Sequence, residues 1–153
     1  MALWHYSFIV IPKEETNMFV WEDKFKNSEY GFDDAPFWDF KLYDKSVFYE
    51  LSKILPREDS WHSNIELYGN ENSNNIEVYV DFKRIKSVSL RIDFRSNYSF
   101  ILIEIIEFFI LNGFTMLDEN LELVILNFEI IKSIIDNSSQ FKKYNELSVD
   151  SKS

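Results

Sequence analysis

Three charged side chains near the middle of the chain form the pattern that most suggests chemistry: Arg91, Asp93 and Arg95. They alternate with apolar residues, and side chains two residues apart lie on one face of a strand. In the two preceding predicted strands, polar side chains alternate with apolar residues in the same way, so we expect on this face Glu66, Glu77, Tyr79 and Asp81. Guanidinium, carboxylate and hydroxyl groups on an open sheet face would bind a small anion. The alternative is a ladder of cross-strand ion pairs, each worth roughly 0.2–1 kcal/mol.

A second pattern, in residues 13–44, combines aromatic and acidic side chains. The segment holds nine acids, four lysines and nine aromatic residues without a sustained period. Aromatic side chains anchor protein interfaces, and acids around them select a basic partner. The residues predicted to bind that partner are Trp21, Glu22, Asp23, Asp33, Asp34, Trp38 and Asp39. The alternative is that rings such as Phe37, Trp38 and Phe40 lie over the sheet and complete its core.

Most catalytic chemistries find no support in the residue types. The chain has no cysteine, which excludes a disulfide scaffold, a thiolate zinc site and a cysteine nucleophile. Its three glycines, Gly31, Gly69 and Gly113, are too far apart for a phosphate-binding glycine loop. His5 and His62 lack metal-ligand spacing, and no nucleophile motif accompanies them. We therefore predict no enzyme activity, no metal site and no cofactor.

The charge balance favours a protein partner over a nucleic acid. The chain has 16 basic and 26 acidic side chains, a net charge of −10. Nucleic-acid affinity comes from clustered lysine and arginine, whereas an acidic surface attracts basic proteins. The most apolar stretch, residues 100–111, contains Glu104 and Glu107 and is shorter than the about 20 residues that cross a bilayer. Because the N-terminus also lacks the pattern of a signal peptide, we expect a soluble, cytoplasmic protein that binds no membrane.

Hydrophobic periodicity predicts the elements that must position these side chains. Strands are predicted over residues 3–11, 65–68, 76–82, 87–95, 114–117 and 121–126, the last two as a hairpin. Helices are predicted over residues 47–55, 98–112 and 128–138. This order predicts one α+β domain over residues 1–141, with a mostly antiparallel sheet, a central three-stranded meander and about three helices on one face. The polar residues 142–153 are expected to fray.

Side-chain parity constrains the second turn of the meander. Directly opposed residues share a face, and Val80 and Val88 both belong to the apolar face. Their strands must therefore be joined by an odd number of residues. A three-residue loop at 83–85 is the simplest choice, and it would place Glu77 opposite Arg91.

Four pieces of the sequence together resemble a known group of proteins. They are Trp38 before a short helix, Ile54-Leu55-Pro56 followed by Ser60-Trp61, Glu66-Leu67-Tyr68-Gly69, and Arg91-Ile92-Asp93-Phe94-Arg95. From residue 38 to 141 the pattern resembles a group of small bacterial proteins, some of which are similar to immunity proteins that accompany polymorphic toxins. The resemblance implies a cognate toxin as partner and supplies no catalytic residues.

These observations predict an acidic protein-binding domain, an immunity protein that neutralises a basic bacterial toxin by masking its active site. One alternative is a small-anion binding protein or enzyme that uses the polar sheet face around Arg91 and Arg95. Another is a structural subunit that forms a homodimer through an exposed sheet edge.

Overall fold

The computed structural model describes residues 4–13, 38 and 43–150, and it describes side chains as far as residue 147. The strands are β1 His5–Pro12, β2 Arg57–Glu58, β3 Ile65–Gly69, β4 Asn75–Asp81, β5 Arg84–Asp93 and β6 Phe114–Leu117. They form one antiparallel sheet in the order β2-β3-β4-β5-β1-β6. Within the described ranges, the helices are a 3-10 helix Lys45–Lys53, α1 Ser99–Asn112, α2 Phe128–Asp136 and α3 Ser139–Asp150. The predicted α+β class and antiparallel sheet are confirmed.

One face of the sheet carries the core. Phe8 and Leu90, which lie opposite each other on β1 and β5, are almost completely buried. The ring of Phe114 on β6 stacks on Phe48 of the 3-10 helix with centroids 5.2 Å apart, and it meets Phe109 of α1 at 6.4 Å. The 3-10 helix and α1 therefore pack on the same face of the sheet.

Three helix boundaries are set by single residues next to them in the sequence. The Asp44 carboxylate accepts the Ser46 N–H at 2.9 Å, and the Asn127 side chain accepts the Ile130 N–H at 3.2 Å. These are N-cap contacts, which satisfy backbone donors that a helix leaves free at its start. Gly113 ends α1 with φ of 74°, a left-handed conformation that glycine adopts without steric cost.

The β4–β5 hairpin has the predicted faces but a different register. Its turn contains two residues, 82–83, and a β-bulge lies farther along the pair. Val78 consequently lies opposite Val88, and Glu77 lies opposite Ser89. The predicted three-residue loop is therefore wrong. The expected odd number of joining residues is wrong as well: a two-residue turn followed by a bulge keeps Val80 and Val88 on the apolar face without an odd loop.

Strand β3 presents the opposite faces from those predicted. Glu66 lies opposite Val78 and Tyr68 opposite Ile76, so both side chains belong to the core side of the sheet. The side chain of Tyr68 is larger than that of the neighbouring leucine, and it is almost completely buried. The negative charge of Glu66 is balanced by an ion pair, because the Lys45 Nζ lies 3.1 Å from the Glu66 Oε1. The alternation of apolar residues was a poor guide here because β3 lies near a sheet edge with charged neighbours.

Residues 114–126 do not form the predicted hairpin. Strand β6 pairs with β1, and Met116 lies opposite Val10. In the described structure, the returning chain meets β6 through a single bridge between Leu117 and Leu123. Pairing with the free edge of β1 extends the sheet and buries Phe114, which a two-stranded local hairpin would leave exposed.

The expected frayed tail is helical over much of its length. Helix α3 runs to Asp150, and the rings of Phe141 and Tyr144 contact Phe94 at centroid distances of 5.2 and 5.5 Å. These two apolar contacts bind the first turns of α3 to the end of β5. The expectation of fraying is therefore wrong for residues 142–150, and the described part of the chain has one helix more than predicted.

Candidate functional site

The polar face of the central strands exists as predicted, with different neighbours. Arg91 on β5 lies opposite Asn75 on one side and Ser7 on the other. Since directly opposed residues share a face, Glu77 and Tyr79 lie on this same face. Glu77 is not opposite Arg91, because the bulge shifts the register of β4 against β5.

Asp93 and Arg95 form an internal ion pair at the end of β5. Arg95 donates from Nε to Asp93 Oδ1 at 3.0 Å and from Nη2 to Oδ2 at 2.8 Å. The same Nη2 donates to the Asn72 carbonyl at 2.9 Å, and the guanidinium lies 4.3 Å from the centre of a Trp4 ring. Asn74 Oδ1 accepts the Asp93 N–H at 2.7 Å. These contacts occupy both charged groups. Asp93 and Arg95 are therefore ion-paired, but the pair lies at the end of one strand and is not part of a cross-strand ladder.

The electrostatics of this cluster follow from burial and pairing. Asp93 is only 3% exposed, and burial by itself would raise its carboxyl pKa. The hydrogen bonds from the Arg95 side chain and backbone outweigh burial and hold the pKa of Asp93 below its ordinary value. Across the strand pair, burial lowers the pKa of His5, and the positive charge of Arg91 lowers it further. Histidine at this position is therefore neutral in the folded protein near pH 7.

Arg91 differs from Arg95. It is half-buried, and it forms no hydrogen bond or ion pair with any residue that the structure describes. Ser7 faces it across β1–β5, and Ser89 precedes it by two residues on the same face. Of the predicted anion site, Arg91 is thus the arginine that retains donors for a ligand.

Most of the predicted partner-binding residues lie outside the described part of the chain: Trp21, Glu22, Asp23, Asp33, Asp34 and Asp39. Trp38 is described, and it is 1% exposed. Its ring contacts Tyr43, Phe48 and Phe114 at centroid distances of 5.3, 6.3 and 5.4 Å. The prediction that Trp38 anchors a partner is therefore corrected: its large apolar ring completes the core against β6 and the 3-10 helix.

The sequence reasoning missed one surface, the outer side of α1. Phe100 and Leu111 are 78% and 85% exposed, and Ile103 and Ile110 are exposed as well. Glu107 is exposed among them, and Glu104 is half-buried. We call this surface the α1 outer face; its residues are Phe100, Ile103, Glu104, Glu107, Ile110 and Leu111. Their spacing of three, four, seven, ten and eleven residues after Phe100 puts them on one side of a helix.

The position of the α1 outer face was readable in the sequence, but its exposure was not. A helix that is apolar almost all round is usually covered on most sides, so the sequence of α1 predicts a helix with little exposed apolar surface. The opposite side of α1 is indeed core, with Leu102, Ile105 and Phe109 fully buried. No helix among the described residues combines the length and apolar character that crossing a membrane requires.

Two concavities adjoin the α1 outer face. One, of about 230 Å³, is lined by Phe100, Ile103, Glu104 and Glu107. A larger groove, of about 470 Å³, begins at Ile110 and is lined mainly by apolar residues of the segment 123–126. Leu123 and Ile125 in that segment are themselves exposed. The apolar surface therefore continues from the helix onto the segment after β6.

Among the described residues, no three His, Asp or Glu side chains lie close enough together to hold a metal ion. The predicted absence of a cofactor stays a prediction. Comparison of the chain with protein-family models, with curated proteins and with solved structures finds no match in any of the three.

Proposed function

We propose that this chain is an acidic protein-binding domain that neutralises a basic partner, a bacterial toxin, by covering the toxin's active site. The observation that carries the proposal is the α1 outer face, which exposes four apolar side chains beside one exposed and one half-buried glutamate. Exposed apolar patches rimmed by polar groups are typical of protein interfaces. The net charge of −10 favours a basic partner, because opposite charges accelerate association.

The immunity role rests on the resemblance described above and on this charge. Many nucleic-acid-cleaving toxins need a basic surface to bind phosphates, and an acidic protein competes for that surface. Blocking an active site requires no catalytic group in the inhibitor. This agrees with the described residues, in which the prominent charged pair, Asp93 and Arg95, is engaged internally.

The test is capture of the partner from a lysate of the native cells with tagged protein, washed at low and then high salt. We expect one stoichiometric basic protein that dissociates at high salt and whose toxicity the purified chain suppresses. The double variant Phe100→Gln, Leu111→Gln should lose this protein. The control variant Trp61→Gln, Phe82→Gln removes two exposed rings elsewhere and should retain it. Failure to capture a protein, or capture of one whose toxicity is unaffected, would contradict the proposal.

The acidic segment supplies a second, sequence-based test of the same function. Changing Asp33 and Asp34 to asparagine should slow association with the captured protein and flatten its salt dependence, since both aspartates add to the attractive field. Stopped-flow association at several salt concentrations measures both quantities. Unchanged rates and salt slope would remove this pair from the interface.

A second candidate function is anion binding at Arg91. It is favoured by one observation: Arg91 has no ion-pair partner among the described residues, whereas Arg95 is paired with Asp93. Titration with inorganic phosphate, followed by calorimetry, tests it. Binding that Arg91→Ala abolishes while the fold survives would support this candidate, and absence of heat at millimolar phosphate would rule it out.

A further inference from the structure

The α1 outer face combines apolar and acidic side chains in a symmetrical order along the helix. Phe100 and Ile103 lie at one end, Ile110 and Leu111 at the other, and the two glutamates lie between them. The helix carries no lysine or arginine from Ser99 to Asn112. From its first to its last residue the face is about 16 Å long, at 1.5 Å per residue.

This order bears on whether a second copy of the chain could cover the face. A two-fold contact brings the same patch of each copy together. If two α1 helices pack antiparallel about the centre of the face, Phe100 meets Leu111 and Glu104 meets Glu107 of the other copy. Four carboxylates would then meet in the middle of a contact from which water is excluded, and like charges so placed oppose association.

Moving the two-fold axis toward either end of α1 does not rescue a homodimer. It separates the carboxylates, but half of the apolar side chains then stay uncovered. Stabilisation by apolar contact grows with the apolar area removed from water, so that arrangement loses much of the stabilisation that the face could provide. The charges of the face therefore disfavour a second copy and favour a partner with positive charges opposite the glutamates.

The shape of the surface indicates which element of a partner fits. All backbone groups in the middle of α1 are hydrogen-bonded within the helix, so the face presents no edge to which a strand would add. A straight apolar row beside the groove at Ile110, Leu123 and Ile125 instead matches the packing of one helix along another.

We propose that the α1 outer face binds an amphipathic helix of the partner protein, with its apolar side against Phe100, Ile110 and Leu111 and a lysine or arginine opposite Glu104 and Glu107. The proposal rests on the protein-binding function proposed above and specifies the surface and the chemistry of its occupant. An apolar side chain of the partner helix enters the groove between Ile110 and Ile125.

The test uses two synthetic peptides of about 18 residues, long enough to form isolated helix. Both have leucines at helical spacing on one side. The first has lysines at the borders of that side, and the second has glutamates at the same positions. Titrations followed by amide NMR shifts of residues 99–112 should show binding of the lysine peptide at least about tenfold tighter than the glutamate peptide, a difference of about 1.4 kcal/mol.

A charge-matched pair of variants locates the effect. The double variant Glu104→Gln, Glu107→Gln should weaken binding of the lysine peptide about tenfold, because the charges opposite its lysines are gone. The difference in affinity between the two peptides should narrow accordingly. Glu71→Gln, Glu146→Gln makes the same change in net charge at exposed positions elsewhere and should leave both affinities unchanged.

Three results would overturn the inference. Equal binding of both peptides would show that the glutamates do not select the occupant. Absence of binding by either peptide would remove the helix-docking surface. A dimer in sedimentation at micromolar concentration that Phe100→Gln, Leu111→Gln dissociates would make a second copy the occupant. The two proposals fail separately, because an empty capture beside a positive titration would contradict the proposed function alone, and a toxin captured through another surface would contradict this inference alone.

Discussion

The end of β5 and the α1 outer face use their side chains in opposite ways. At the end of β5, the residues that suggest chemistry, Asp93 and Arg95, bind each other and the neighbouring backbone. On α1, Phe100 and Leu111 carry no reactive group, yet they are the side chains left in water. A charged group can form hydrogen bonds and ion pairs with its neighbours in the same chain. An exposed apolar side chain is stabilised only when another surface covers it. The open face is therefore the better indicator of a partner.

The largest effect that tests this comparison is expected when the ion pair of Asp93 and Arg95 is broken, and it is an effect on the stability of the fold. Asp93→Ala should lower the free energy of unfolding by about 2–3 kcal/mol, because a buried carboxylate loses its charge-assisted hydrogen bonds and leaves its donors unsatisfied. Urea unfolding measures the change. Asp136→Asn is the matched control, since its ion pair with Lys132 is exposed and should contribute too little to resolve. A loss below about 1 kcal/mol for Asp93→Ala would show that the cluster is not a structural unit.

The next effect is the pH dependence of stability that His5 contributes. Its pKa is lowered in the folded protein from the ordinary value of 6.5. As the pH falls through 6.5, the unfolded chain therefore binds a proton that the folded protein does not, and stability decreases with a slope of at most about 1.4 kcal/mol per pH unit. The groups that face His5 are Arg91, Asp93 and Arg95.

Urea unfolding at several pH values between 7 and 5 tests the contribution of His5. His5→Gln should flatten the dependence, and His62→Gln, at an exposed position, should leave it unchanged. The lowered pKa of Asp93 acts in the same direction at lower pH: its stabilisation is present above pH 4 or so and is lost as the pH falls through its folded pKa. An unchanged pH dependence in the His5→Gln variant would contradict the assignment.

The smallest effect on stability is expected at the α1 outer face. Phe100→Gln, Leu111→Gln should change the free energy of unfolding by no more than about 0.5 kcal/mol, because the side chains are exposed and glutamine favours helices about as well as leucine. Binding of a hydrophobic dye should decrease at the same time. A loss of about 2 kcal/mol or more would show that these side chains are packed in the monomer, and the contrast with the β5 end would fail.

Features that depend on a few neighbouring residues were predictable. The caps at Asp44 and Asn127 each follow from one side chain that accepts an adjacent backbone N–H, and the stop at Gly113 follows from the freedom of glycine to adopt a positive φ. Period-two alternation located β4 and β5 and assigned their faces correctly. The polar face of Glu77, Tyr79 and Arg91 followed from the same parity.

Features that depend on competition between distant segments were not predictable. A hairpin with an odd loop and one with an even turn and a bulge satisfy the same parity, so the register of β4 on β5 stayed undetermined. Strand β6 had a local partner in sequence and a better one in β1. Trp38 had equal reasons to be an anchor or core, and only its contact with Phe114 decided between them.

The sequence by itself determined the α+β class, the helix ends, the alternating faces of the central strands and the strong negative charge, because each follows from local spacing or from composition. Only the tertiary structure decided which surfaces are closed and which are open. Exposure depends on what packs against a surface. Arg95 binds the carbonyl of Asn72, which lies in a distant segment of the chain, whereas no described helix covers Phe100 and Leu111. The candidate interface therefore emerged from the packing, although every residue in it was already visible at helical spacing.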